Sequence, residues 1–247
     1  MKSGPWRRID VVTETGSTNA DLLARAAEGE DVDGVVLIAE SQTAGRGRHG
    51  RTWSTPPGSQ VALSVGIRVS AVPSEAWGWL PLLTGVAVVD AVAEVAGVAA
   101  GLKWPNDVLV GTGKLAGILA EVAAPEPVVV VGLGLNVTEA PDPVATSLSK
   151  LGVTVDRTDV ADAVLRHLAA RIAAWRSAGG ADAALAADYR AHSVTIGHRV
   201  RASLPGDRTV EGIAADIDDL GRLRIDTGGE VLTVSAGDIT HLRPANP

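Results

Sequence analysis

Two stretches of this 247-residue chain concentrate side chains that handle anions. The first, residues 44–53, reads A-G-R-G-R-H-G-R-T-W and packs three Arg and three Gly into seven positions. Glycine lets a backbone bend close to a ligand and expose its N–H groups. Arginine supplies a planar, permanently charged fork for phosphate or carboxylate. The combination suits a mobile cover over an anionic ligand. Composition alone suits a solvated basic loop, or a patch touching nucleic acid, equally well.

The second stretch, 102–122, reads L-K-W-P-N-D-V-L-V-G-T-G-K-L-A-G-I-L-A-E-V. It holds Lys103 and Lys114, two of the four lysines in a chain with 18 arginines. Where Arg is the usual cation, Lys marks a place for a compact ammonium, or it falls there by chance. Lys114 opens an apolar run, where a desolvated ammonium is costly without an anionic partner. Trp104-Pro105-Asn106-Asp107 is a turn between strands, whose Asn and Asp either bond locally or face a pocket. A third stretch, Glu14-Thr15-Gly16-Ser17-Thr18-Asn19, places three neutral hydrogen-bonding side chains at a helix N-terminus. Capping accounts for one of them; the others suit a polar uncharged group, or an anion resting on free N–H groups.

Several chemistries are excluded. Without Cys there is no disulfide, thiolate nucleophile or Cys-ligated metal. Gly113-Lys114 is followed by Leu115, so this is not a P-loop. Gly132-Leu133-Gly134-Leu135-Asn136 lacks the third glycine of a dinucleotide fingerprint and ends a strand, so close backbone packing is the preferred reading. No G-x-S-x-G elbow occurs, and the five histidines have no zinc-ligand spacing. A net charge of −7 argues against broad nucleic-acid binding. The first ten residues lack the apolar core of a signal peptide. The longest apolar run, 77–89, is too short to span a bilayer. The chain therefore reads as soluble and cytoplasmic.

Hydrophobic periodicity and turn residues place the elements around these stretches. Strands are expected near 9–12, 34–40 and 60–69, and a helix over 17–28 with Thr18 to Asp21 as a capping pattern. Residues 43–58 form a long loop. A core helix is expected over 77–98, then strands at 102–104, 107–110, 114–122 and 127–137 joined by hairpins. Helices follow at 157–178 and 181–191. Beyond residue 192 the segments are short and alternating, as in a small barrel-like β module.

Taken together, the motifs resemble the biotin–protein ligase family. The matching elements are T-G-S-T-N at 15–19, A-E-S-Q-T-A-G-R-G-R-H-G-R-T-W at 39–53, L-K-W-P-N-D at 102–107, G-K-L-A-G-I-L-A-E at 113–121 and V-G-L-G-L-N-V at 131–137. They occur in family order and cover nearly the whole chain. The resemblance implies an α/β (α+β) mixed-sheet catalytic domain over 1–194 and a small SH3-like β-barrel over 195–247. It implies two half-reactions: biotin and ATP, with Mg²⁺, give biotinyl-5′-AMP, and a lysine of a biotin carboxyl carrier domain then takes the biotinyl group. Biotin contacts carried over from the family fall on Ser17, Thr18, Asn19, Gln42, Gly45, Arg46, Gly47, Arg48, Lys114 and Gly117. Adenylate contacts fall on Trp53, Asn106, Asp107, Lys114 and Asn136. Lys114, Arg48 and Asp107 are the residues expected to carry the chemistry, with no protein-bound metal.

Some family members also carry an N-terminal DNA-binding domain. Too little chain precedes T-G-S-T-N for one here, so no sequence-specific DNA binding is expected, nor any membrane partner. A monomer or weak homodimer fits. Two other readings stand beside this one. A lipoate-type ligase shares the architecture, although the related thioester transferases need a Cys that this chain lacks. A catalytically silent biotin- or nucleotide-sensing module is the other.

Overall fold

The computed structural model describes residues 5–54, 56–124, 127–204, 206, 208–239 and 241–244. The first half contributes β1 (Arg8–Thr15), α1 (Thr18–Ala27), β2 (Val35–Gln42), β3 (Gln60–Arg68) and α2 (Trp79–Ala96). Next come β4 (Gly101–Lys103), β5 (Asp107–Val110), β6 (Gly113–Ala123) and β7 (Val128–Asn136), then α3 (Arg157–Ala178) and α4 (Ala183–His192). The last part holds β8 (Arg199–Leu204), β9 (Arg208–Ile217), β10 (Leu223–Asp226), β11 (Val231–Val234) and β12 (His241–Pro244).

Strands β1 to β7 form one sheet in the order β1-β2-β3-β7-β6-β5-β4. Only the β1–β2 pair is parallel, so the sheet is mixed, as expected. Alternation along β7 shows how the sheet is covered. Val128 and Val130 join Leu22 and Ala26 of α1 on one face. Val129, Val131, Leu133 and Leu135 join α2 and α3 on the other. With helices on both sides, β3 is buried along nearly its whole length rather than on alternate residues. Each fully buried Val or Leu contributes about 1.5–3 kcal/mol of transfer free energy.

The helical stretch Ser74–Ala96 is long and apolar enough, by length and composition, to cross a membrane. It exceeds the uninterrupted apolar run that the sequence shows, because Asp90 and Glu94 sit on its outer side. There they pair with Arg171 at 2.6 Å and Arg166 at 2.9 Å on α3. From Trp79 to Val92 most of α2 is buried against the sheet, α3 and α4. Its apolar surface is therefore the protein core.

The α1 cap sits one residue earlier than the sequence pattern indicates. Ser17 is the N-cap and accepts from Ala20 N–H at 3.4 Å. Thr18 does not cap because its hydroxyl is engaged elsewhere, and Asp21 instead accepts the Thr15 hydroxyl at 2.5 Å.

The C-terminal strands form a second, antiparallel sheet in the order β11-β10-β9-β8-β12. β12, a four-residue edge strand ending in Pro, has no counterpart among the expected elements. This module shares the main core through Val200, Ala214, Ile217 and Leu223. Two buried indoles tie it down: Trp79 Nε1 donates to Asp219 O at 2.8 Å, and Trp104 Nε1 to Gly221 O at 3.0 Å. Trp104 is 1% exposed and follows the strand β4. Trp104→Ala should therefore destabilise the protein by about 3–5 kcal/mol through cavity formation. In a chain of this size that lowers the thermal midpoint by roughly 6–20 °C, readable by calorimetry; an unchanged midpoint would contradict the tie.

Candidate active site

Register decides which side chains share a face, because directly paired residues of an antiparallel ladder point the same way. One rung runs across five strands: Ala62, Gly134, Gly117, Asp107 and Lys103. The next runs Leu37, Ser64, Gly132 and Leu119. Glycines occupy the middle of both rungs, so the sheet there presents bare backbone. The α1 N-terminus and the 44–53 loop rise around this floor and enclose a cleft of about 340 Å³.

The end of the cleft at α1 is neutral and rich in hydrogen bonds. Ser17, Thr18 and Asn19 are all buried. Gln42 Oε1 accepts from the Thr18 N–H at 2.9 Å and its hydroxyl at 3.2 Å. Ser64 donates to Asn19 Oδ1 at 2.6 Å and lies 2.7 Å from the Thr18 hydroxyl. Asn19 Nδ2 reaches Leu119 O at 3.1 Å and Glu121 Oε2 at 2.9 Å. Asn19 can sit this low only over glycine, since a Cβ on Gly132 would lie 2.2 Å from its Oδ1.

The other end is cationic. Lys114 Nζ lies 2.6 Å from Asp107 Oδ1 and 5.2 Å from the centre of a Trp53 ring. The anionic partner that an ammonium in an apolar run requires is thus Asp107. Trp53 lies flat on the glycine floor; a Cβ on Gly134 would be 2.5 Å from its indole. Its Nε1 donates to Gln60 Oε1 at 2.6 Å. Asn106 is fixed by donation from Nδ2 to Ile118 O at 3.1 Å. The Trp104–Pro105 peptide bond is cis.

The Arg/Gly loop folds as a small hairpin. Trp53 N–H donates to Gly45 O at 2.8 Å, and Gly47 N–H to Arg51 O at 2.6 Å. His49 at its tip holds a left-handed backbone (φ 55°). Arg48 donates to Asn106 Oδ1 at 3.3 Å and to the backbone carbonyls of Ile239, at 3.1 Å, and Ala236. His49 Nε2 approaches the same Ile239 carbonyl at 2.9 Å. Burial lowers the Arg48 guanidinium pKa from its ordinary value, with the Arg51 charge adding to the shift and Asp107 opposing it. Arg46 pairs with Glu121 at 2.5 Å.

Twelve of the fourteen residues singled out in the sequence line this cleft. Gly45 and Asn136 do not. Gly45 lies within the loop hairpin, where a Cβ would meet the Trp53 carbonyl at 2.2 Å. Asn136 is fully buried beneath Lys114, and its Nδ2 donates to Lys114 O at 3.3 Å and Thr146 O at 2.9 Å. Among the described residues no hydrogen-bond partner reaches its buried Oδ1. The close-packing reading of Gly132 and Gly134 holds, and what packs on them are two residues of the cleft lining, Asn19 and Trp53. Sequence reasoning missed Ser64, Gln60 and Glu121. Glu121 closes the G-K-L-A-G-I-L-A-E stretch; Ser64 and Gln60 carried no signal beyond strand periodicity.

A cleft with one neutral and one cationic pole, under an Arg/Gly cover and on the face of a mixed sheet, can hold a polar molecule at one end and an anionic group at the other. The Biotin/lipoate A/B protein ligase family model matches residues 12–137, and the Biotin protein ligase C terminal domain model matches 195–242. The biotin–[acetyl-CoA-carboxylase] ligase of Mycobacterium tuberculosis is 62% identical over 96% of this chain and 90% of its own length. The bifunctional ligase/repressor BirA of Bacillus subtilis is 34% identical over 93% of this chain and 72% of its own. Among solved structures, the biotin protein ligase from Aquifex aeolicus in complex with biotin and ATP superposes with a TM-score of 0.84. It is 26% identical, and the match covers 97% of this chain and 100% of that one. The chain belongs to the Biotin/lipoate A/B protein ligase family.

Proposed function

We infer that the chain is a biotin–protein ligase, which activates biotin with ATP and passes it to a lysine of a biotin carboxyl carrier domain. One observation carries the reading: a single cleft joins a neutral hydrogen-bonding pole to a cationic pole. Biotin has the same two ends. Its ureido group is neutral and takes paired hydrogen bonds, which Ser17, Thr18, Asn19 and Gln42 are placed to supply. Its carboxylate must meet the α-phosphate of ATP, and Lys114 sits where these two anions would converge.

In the first half-reaction a biotin carboxylate oxygen attacks the α-phosphorus. The bond to pyrophosphate breaks and biotinyl-5′-AMP forms. Lys114 offsets the repulsion between the anions and stabilises charge growing on the phosphoryl oxygens. Trp53 offers a flat apolar surface to the adenine, and Arg48 a second cation at the loop. In the second half-reaction the neutral ε-amine of the carrier lysine attacks the acyl carbon. The anhydride C–O bond breaks, AMP leaves, and the amide loses its extra proton. The loop covers the anhydride against water between the two steps.

Mg²⁺ fits this cleft as a nucleotide-borne ion. Among the described residues its lining carboxylates are Asp107 and Asp142, and a Mg²⁺ held mainly by phosphate and water needs only one or two. When bound it screens the departing pyrophosphate. The acceptor is the carrier subunit of a biotin-dependent carboxylase, and the enzyme works in the cytoplasm, where ATP is supplied.

The test is the first half-reaction alone. Labelled pyrophosphate should enter ATP only when biotin is added; exchange that ignores biotin would overturn the reading. Asp107→Asn keeps the shape of the site but removes the anion that holds Nζ. Misplacing Lys114 this way should slow adenylate formation by about 10-fold or more. Single-turnover assays of adenylate formation and transfer, run separately, check this; unchanged rates in both remove Asp107 from the mechanism.

A further inference from the structure

Glu121 takes no part in the chemistry above, yet its carboxylate joins two parts of the site that belong to different elements. It stands on β6, opposite Val130, on the same sheet face as Gly117 and Leu119. One oxygen accepts from Asn19 Nδ2 at 2.9 Å; the other pairs with the Arg46 guanidinium at 2.5 Å. Its side chain is 22% exposed and that of Arg46 is 46% exposed. A second pocket, of about 290 Å³, opens between the loop and the sheet, with Glu121 and Leu119 at its base. The chain of contacts therefore runs from Ser64 to Asn19, to Glu121, and out to the loop at Arg46.

We propose that Glu121 is a positioning residue that tethers the Arg/Gly loop to the neutral pole, and that Arg46 acts as the loop's anchor rather than as a phosphate ligand. The proposal rests on the biotin-ligase reading for its effect on biotin, but not for the tether itself. A carboxylate has acceptor sites for both partners at once. Its Asn19 oxygen fixes the amide that faces the cleft, and its Arg46 oxygen fixes the loop over it. The loop's position thus depends on the same group that orients the cradle. Lys114 stands on the glycine floor beside Trp53, whereas the Arg46 guanidinium is turned to Glu121 at the side of the second pocket.

Glu121→Gln separates the two contacts. A glutamine oxygen can still accept from Asn19, but the amide no longer attracts Arg46. Limited trypsin digestion of the full chain, without ligands, reads the tether directly, because the loop carries Arg46, Arg48 and Arg51. Cleavage after Arg48 and Arg51 should accelerate several-fold in Glu121→Gln. The biotin KM should rise about fivefold, as for loss of a half-exposed charge-assisted pair, while kcat stays within about twofold. Arg46→Gln, a change at an exposed side chain, should accelerate cleavage after Arg48 and Arg51 in the same way if Glu121→Gln proves unstable. The double variant should be no worse than the stronger single one, since both remove one interaction. Unchanged cleavage and biotin KM in Glu121→Gln, or fully additive losses in the double variant, would overturn the proposal. The digestion needs no ligase activity, so a wild-type chain lacking biotin-dependent exchange would count against the ligase reading and not against the tether.

Discussion

Lys114→Ala should reduce biotin-dependent pyrophosphate exchange by about 10³-fold, the upper part of the range for removing one preorganised electrostatic contact. The size follows from where the ammonium stands. It opens β6 at the edge of a glycine floor, 33% exposed, with Asp107 holding it at 2.6 Å. The reaction brings a carboxylate to a triphosphate, and charge concentrates further as the phosphoryl oxygens become equatorial. A fixed cation needs no reorganisation at that moment, whereas water filling the space of the lost side chain must reorient. Alanine also leaves the Asp107 carboxylate without its ammonium, so a cation becomes an uncompensated anion at the point of attack. Lys114→Arg should recover little, because a planar fork does not occupy the space of a compact ammonium beside Trp53. Near-normal exchange in Lys114→Ala would remove the residue from the mechanism.

Gly132→Ala should weaken biotin binding by about 10- to 100-fold, the effect of losing one or two buried hydrogen bonds. The backbone at this position tolerates any residue; the conflict is with Asn19. A methyl group would lie 2.2 Å from Asn19 Oδ1 and 2.9 Å from its Cγ. Asn19 cannot swing aside freely, because Ser64, Leu119 and Glu121 hold both ends of its amide. The side chain must leave that network, and the neutral pole loses its central group. Isothermal titration with biotin measures the loss. Affinity within about twofold of wild type would show that the amide has room the structure does not indicate.

These two positions also show what could be read from the chain and what could not. Lys114 was legible because it breaks a compositional habit: the chain uses Arg nearly everywhere else. The helix Arg157–Ala178 was legible to the residue, because local periodicity and punctuation define it. Gly132 and Gly134 pointed to close packing, but not to what packs on them. That depends on the register of β3, β6 and β7, and strands as far apart in sequence as β3 and β7 leave no local trace of their alignment.

The same limit hid Glu121. On its own strand it is one acidic residue in an apolar run, and its role appears only when Asn19, 102 positions away, is brought beside it. Asn136 shows the other side of this limit. Its motif groups it with the expected adenylate contacts, and the folded chain adds that its side chain is buried under Lys114 and holds backbone there. Arg48 reaches across 191 positions to Ile239, so the expected catalytic loop is also bound to the C-terminal module. Trp104 belongs with these: its motif faces the cleft while its indole ties the two sheets together. Motif spacing thus picked out residues that share one cleft, while their contacts inside it come from pairing that only the folded chain establishes.

The most direct test of the ligase assignment is attachment itself. The chain is incubated with ATP, Mg²⁺ and a biotin carboxyl carrier domain, with labelled biotin in one reaction and labelled lipoate in the other, and the carrier is weighed by intact mass spectrometry. The predicted result is one biotinyl group on a single carrier lysine, dependent on ATP, with no lipoyl product. Attachment of lipoate in preference to biotin, or of neither, would contradict it.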